Sequence, residues 1–272
     1  MTDPHDHPPF ELARMTWPEV GAVLKRRPNL VILPVGALEQ HGHHLPLGTD
    51  SIMVDALCSR AAAGLEQVVV APGIHYGTSA NHDAFPGTVS IGLDTLVRLI
   101  VDIGLDLFRQ GVDILLVVNG HGGNTQAVAA AAHELRQRSG KVVAQLMWTA
   151  TIHDAWNVLE GDISWHADEC GRSLLPGFAP APGREGKAVD ERPRDLPFFK
   201  FTEEALLATK VDLGLPKTDA LSASGTIGLA KLATKAKGET MIAEATENLR
   251  RTITQLLEHH GTLLAHLTRT AG

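Results

Sequence analysis

The chain has 272 residues, of which 44% are hydrophobic and 20% charged, with a formal net charge of -7. This length suits one substantial α/β domain burying roughly 70–75% of its unfolded surface, and no apolar run reaches the roughly 18 residues a membrane helix needs. The negative balance argues against non-specific nucleic-acid binding, and two cysteines, Cys58 and Cys170, exclude a disulfide framework or a four-thiolate zinc site.

The first nine residues lack the apolar stretch of a signal peptide and read as a disordered tail, so the expected location is cytoplasmic. Thr16 and Pro18 mark the start of a helix over residues 17–27. A Val, Ile and Leu run at 30–35 follows, and similar runs recur at 67–71, 112–118 and 141–147. These are too short for helices and read as buried parallel strands. Helical patterns alternate with them at 51–65, 93–110 and 125–138, and a last long helix spans 239–260. The expected fold is therefore α/β: a mostly parallel central sheet with helices on both faces, in three layers. Residues 173–200 are rich in Pro, Gly and charge and read as a long excursion. With no internal repeat, residues 10–272 are taken as a single domain.

In such sheets ligands bind beyond the carboxyl ends of the strands, so polar residues there carry the functional reading. After the first strand, Glu39, His41, His43, His44 and Asp50 fall within twelve positions of a Gly- and Pro-bearing loop. Asp50 also sits where an N-cap would serve the next helix. After the second strand comes a polar stretch from Tyr76 to Thr88, with Ser79 and His82. After the third comes Asn119-Gly120-His121-Gly122-Gly123-Asn124. This glycine turn lacks the final glycine of a dinucleotide fingerprint, and no Gly-x-Ser-x-Gly elbow exists to make it an esterase oxyanion loop. Beyond the fourth strand lies Trp165-His166-Ala167-Asp168-Glu169-Cys170. Mixed imidazoles and carboxylates without thiolates suit zinc, manganese or iron, and shared carboxylates suit a pair of ions about 3.5 Å apart.

The run Val35 to Asp50, with its Glu-x-His-Gly-x-His-Leu-Pro motif followed by Thr-Asp, is similar to the creatininase (creatinine amidohydrolase) family. So are the Phe-Pro-Gly-Thr after His82, Asn119 to Asn124, His166 to Glu169, Ser224 to Gly228 and Lys237-Gly238-Glu239. The resemblance implies a creatininase-like fold, two divalent ions, and Glu39, His41, Asp50 and His121 as ligands, with Asp50 between the ions. Creatinine enzymes carry a glutamate two residues beyond the histidine matching His121, but here that residue is Gly123. Relatives with His-Gly-Gly-Asn carry a later His-Ala-Gly-Glu, so the resemblance assigns the fifth ligand, with a catalytic role, to Glu169. His166 matches the family's proton-shuttling histidine, and Ser79, His82 and Trp165 are assigned to the substrate pocket.

Departures from the family bear on the substrate. Asp168 replaces a glycine, Gly171-Arg172-Ser173 replaces Glu-Thr-Ser, and Asp162 stands where creatinine enzymes have a tryptophan. An aromatic lid over a creatinine ring is thus not expected. The function read from the chain is a binuclear metal-dependent amidohydrolase cleaving a C–N bond in a cyclic amide, lactam or formamide, with zinc expected first and manganese or iron as alternatives. Two other readings stay open: a peptidase trimming a small precursor peptide, and a non-catalytic metal-binding homologue. The expected partner is a small-molecule substrate, with no nucleic acid and no membrane. By resemblance alone, the chain is expected to be a homo-oligomer, a hexamer.

Overall fold

A computed structural model describes residues 10–179, 184–196 and 216–269. The expected tail at 1–9, like part of the 173–200 excursion, lies outside them. The four apolar runs form a wholly parallel sheet of β1 (Leu30–Val35), β2 (Val68–Val70), β3 (Ile114–Asn119) and β4 (Val142–Met147), in the order β2-β1-β3-β4. Leu30 pairs with both Val68 and Ile114, and Ile114 pairs with Val142. Every residue of β1, β2 and β3 is buried, as the unbroken apolar runs require when both sheet faces are covered.

Alternation along β1 divides the interior into two layers. Leu30 and Ile32 pack with Met53 and Leu57 of α2 (Thr49–Ala62), Leu174 of α5 (Glu169–Phe178) and Met241 of α7 (Lys235–Glu258), which follows the one-turn α6 (Thr218–Leu221). Val31, Leu33 and Val35 pack with Ile100 of α3 (Leu93–Arg109) and Leu135 of α4 (Thr125–Ser139). Gly104 lets α3 and α4 close together, since a Cβ there would meet Leu135 Cδ1 at 2.7 Å. At the chain's start, α1 (Trp17–Leu24) begins where expected. The Thr16 amide and hydroxyl both donate to the Glu19 carboxylate, at 2.6 and 2.7 Å.

Three features depart from the sequence reading. The excursion does not begin as a loop: Glu169–Phe178 is helical, with Pro176 inside it. Leu174 and Leu175 are 0% and 1% exposed. Burying each contributes about 2 kcal/mol, which offsets the roughly 3 kcal/mol that an interior proline costs. Asp168 caps this helix by accepting from the Gly171 amide. The second departure is a small antiparallel sheet of β5 (Ser164–His166), β6 (Asp190–Glu191) and β7 (Ile227–Leu229), in the order β5-β7-β6. Its strands are too short, and too far apart in sequence, to show a period. The final long helix also starts earlier than expected, because Thr234 Oγ1 accepts from the Lys237 amide.

Candidate metal centre

The strand order places the functional loops. From β1 the chain moves out to β2 on one side, then returns to β3 on the other, so a crevice opens between the carboxyl ends of β1 and β3. The loop after β1 brings Glu39 and His41 into it, and the turn after β3 brings His121. Asp50 joins them from the first turn of α2. It is not the N-cap: Gly48 takes that position, and the Asp50 carboxylate is turned to the crevice.

These four residues are 1–7% exposed. Asp50 stands between two imidazoles, with His41 Nε2 3.2 Å from Oδ1 and His121 Nδ1 3.2 Å from Oδ2. His121 Nε2 lies 3.3 Å from Glu39 Oε2, while Glu39 Oε1 faces His82 Nε2 at 3.6 Å and His166 Nδ1 at 3.8 Å. Potential ligand atoms converge in two groups that share Glu39: Glu39, Asp50 and His121, and Glu39, His41 and His166.

Burial would raise the carboxyls here, but the facing imidazoles win. Against burial, His121 holds Glu39 down to about 2, and His41 with His121 holds Asp50 well below the usual carboxylate range. The same pairs raise His41 and His121 against the burial that would lower them. His82 and His166 follow burial instead, and fall to about 4 and about 3. Two anionic carboxylates thus meet imidazoles in a water-poor crevice. Glu39 Oε2 and Asp50 Oδ2 are buried and receive no well-formed hydrogen bond. Buried acceptors of this kind cost stability unless satisfied, so the donor set fits a divalent cation better than it fits protons.

Supporting contacts aim the ligands. His166 Nε2 lies 2.7 Å from the Gln40 carbonyl. A carbonyl can only accept, so Nε2 carries the proton and Nδ1 presents a lone pair toward Glu39. Gln40 also bonds His82 Nδ1 at 2.8 Å and the Gly225 carbonyl at 3.1 Å, linking the site to the later Ser224 to Gly228 segment. Asn124 accepts from the Thr78 amide at 2.9 Å and donates to the Gly36 carbonyl at 2.9 Å. It thereby ties together the loops after β1, β2 and β3. Neither Gln40 nor Asn124 was singled out from sequence, although both lie inside the motifs that were.

Glu169 is not brought into the cluster. At 1% exposed, its carboxylate accepts from Lys237 Nζ at 2.5 Å, from the Gly161 amide at 2.8 Å and from the Glu160 amide at 3.1 Å. It begins α5, and the helix turns it away from the crevice and toward α7. The fifth-ligand and catalytic assignments of Glu169 are corrected accordingly. Ser79 lies behind the site, buried, with Oγ 3.5 Å from His121 Nε2.

His82 and Trp165 do line the cavity, which holds about 280 Å³ above the cluster. Trp148 and Trp156 line it too, so three indoles surround it, although no tryptophan stands at position 162. The expectation of no aromatic wall therefore rested on one position, while the fold supplies indoles from three. His43 is exposed, and His44 is buried with neither ring nitrogen hydrogen-bonded.

A family model described as creatininase, creatinine amidohydrolase, matches residues 13–253. The creatinine amidohydrolase of Pseudomonas putida is 30% identical over 251 residues, covering 85% of this chain and 91% of that protein. The mycofactocin precursor peptide peptidase of Mycolicibacterium smegmatis is 45% identical over 112 residues, covering 39% of this chain and 45% of that protein, so this match spans under half of the peptidase. A solved structure of a manganese creatininase superposes with a TM-score of 0.79 at 26% identity, covering 92% of this chain and 99% of that one. The chain belongs to the creatininase family.

Proposed function

We propose that this creatininase-family chain is a metal-dependent amidohydrolase that cleaves a C–N amide bond in a small molecule, with cyclic amides, lactams and formamides as the substrate class. The observation that carries the reading is the convergence of Glu39, His41, Asp50 and His121 at the sheet's switch point, with two buried carboxylate oxygens left without hydrogen bonds. Two divalent ions are proposed there, zinc first and manganese or iron as alternatives. Bound ions of this class polarise a carbonyl and lower the pKa of water toward about 7.

The chain's own residues supply the rest. Glu39, His41, Asp50 and His121 would hold the cations, with Asp50 facing His41 through Oδ1 and His121 through Oδ2. Gln40 fixes the His166 tautomer, so that Nδ1 can take up a proton and pass it to the departing nitrogen. Trp148, Trp156 and Trp165 provide flat apolar walls that admit a planar amide and displace water. The cytoplasmic location and a homo-oligomeric state, a hexamer on the resemblance, are proposed with this reading. A second reading, trimming of a small precursor peptide, is favoured by the 45% identity to the mycobacterial peptidase over 112 residues.

The test is metal analysis combined with hydrolysis assays on lactams, hydantoins, formamides and short peptides. Metal-dependent turnover of a small amide with no cleavage of peptides supports the first reading, and the reverse supports the second. A folded protein that retains less than one ion per chain refutes both. His166→Ala is expected to keep its metal and to lower turnover by roughly 10²–10⁴, the usual contribution of a positioned acid or base. Full activity in that variant removes His166 from the mechanism.

A further inference from the structure

The partners of the buried Gln40 side chain fix which way round its amide lies. Oε1 accepts from the Gly42 amide at 2.9 Å, and Nε2 donates to the Gly225 carbonyl at 3.1 Å. Exchanging the two atoms would set an N–H against the Gly42 N–H and an oxygen against the Gly225 carbonyl, so one orientation alone satisfies both backbone groups. The fit depends on Gly225, at φ +81, where an added Cβ would overlap the Gln40 amide.

With the amide fixed, its second N–H is the one that meets His82 Nδ1, at 2.8 Å. That nitrogen must then accept. The Thr218 hydroxyl, 3.1 Å from the same nitrogen, is able to donate to it as well. A ring whose Nδ1 accepts is neutral and carries its one proton on Nε2. This N–H is turned to Glu39 Oε1, 3.6 Å away, too far for a hydrogen bond but near enough for a dipole to attract a buried carboxylate.

His166 stands at the same oxygen the other way round. Its ring lies 4.4 Å from that of His82, and its Nδ1, 3.8 Å from Glu39 Oε1, holds a lone pair because Nε2 donates to the Gln40 carbonyl. Distance alone would make His82 as good a ligand as His166. The proton separates them, and Gln40 sets both rings, through its backbone for His166 and through its side chain for His82.

Resting on the metal-site reading above, we propose that the Gln40 side chain is a positioning residue that locks His82 as the Nε2–H tautomer and so keeps that imidazole out of the cation's ligand set. His82 thereby remains a fixed hydrogen donor in the cavity wall, and His166 is the imidazole that offers Glu39 Oε1 a basic nitrogen. With the proton on Nδ1 instead, the His82 Nε2 lone pair would face a carboxylate oxygen, an arrangement that a shared cation relieves.

The experiment is nitrogen-15 NMR of the imidazoles in the full-length protein, metal-stripped and then loaded with zinc, with the His82 signals assigned by their loss in His82→Asn. The expected spectra show His82 protonated on Nε2 in both states, with neither of its nitrogens coordinated. In Gln40→Glu the new carboxylate accepts from Nδ1, so the proton should move there, Nε2 should coordinate zinc, and calorimetry should show zinc binding tightened at least about tenfold. Should that variant not fold, Gln40→Leu leaves only the Thr218 hydroxyl, which can donate or accept, and the proton should no longer be confined to Nε2. A wild-type His82 protonated on Nδ1, or coordinated to zinc, would overturn the proposal. A folded Gln40 variant whose His82 stays wholly in the Nε2–H form removes Gln40 as the lock, and an inverted ring that zinc leaves uncoordinated shows that the tautomer does not guard the ligand set. Failure of the wild-type protein to bind zinc would instead overturn the metal-site reading, while the tautomer is still read in the metal-stripped protein, so the two failures are distinct.

Discussion

Removing the Glu169 carboxylate separates a ligand from a strut. Glu169 is 1% exposed and holds together three segments: the 160–161 turn through two amides, its own α5, and α7 through Lys237. In Glu169→Ala both amides lose their acceptor and Lys237 loses one of two carboxylates. Breaking a buried pair from one side costs about 3–5 kcal/mol. Lys237 keeps Glu160 Oε1 at 2.6 Å and the Leu232 carbonyl at 2.9 Å, which places the expected loss at the lower end, about 3 kcal/mol. Urea unfolding of the metal-free protein measures this, and elemental analysis of the purified variant should find the wild-type metal content. A stability change under about 0.5 kcal/mol, the size of an ordinary surface substitution, refutes the strut. Loss of an ion at unchanged stability would return Glu169 to the ligand set.

Asp50→Asn should lose bound metal and with it at least about 100-fold in turnover, since a side chain that contacts both His41 and His121 loses its charge; full metal content by elemental analysis would contradict this. Gly123→Ala forces a Cβ against the Thr78 carbonyl and should cost about 1–3 kcal/mol in urea while weakening metal binding through displaced His121. His82 is held neutral by burial, its pKa lowered to about 4, whereas in the unfolded chain it protonates near pH 6.5. The unfolded state therefore binds the extra proton between those values, so the His82 contribution is present above pH 6.5 and lost as pH falls toward 4. His82→Asn should flatten the fall in metal-free stability across pH 6.5 to 4, and an identical slope in both proteins would show that His82 does not carry it.

Much of the site was legible because it is local. Glu39, His41 and Asp50 lie within twelve residues on one loop, and His121 follows a run of apolar residues that can only be a buried strand. A parallel sheet brings the ends of its strands together whatever the details of packing, so residue type and strand position sufficed for these four. The helix at 169–178 was not legible, because Gly171, Pro176 and Gly177 speak for a loop within ten residues. Burial of Leu174 and Leu175 against α7 outweighs that propensity, and burial is not written in the local sequence.

Contacts through space decided the rest. Glu169 lies three residues after His166, yet the direction of its carboxylate depends on where α7 places Lys237, 68 positions later. The three indoles of the cavity likewise come from separate segments, and one empty position at 162 says nothing about the others. The chain by itself determined which strands form and which donors stand at their ends, since both follow from short-range pattern and connectivity. Only the tertiary structure decided which of those donors face one another, because a buried charge is directed by its nearest opposite charge, and that partner is chosen by packing.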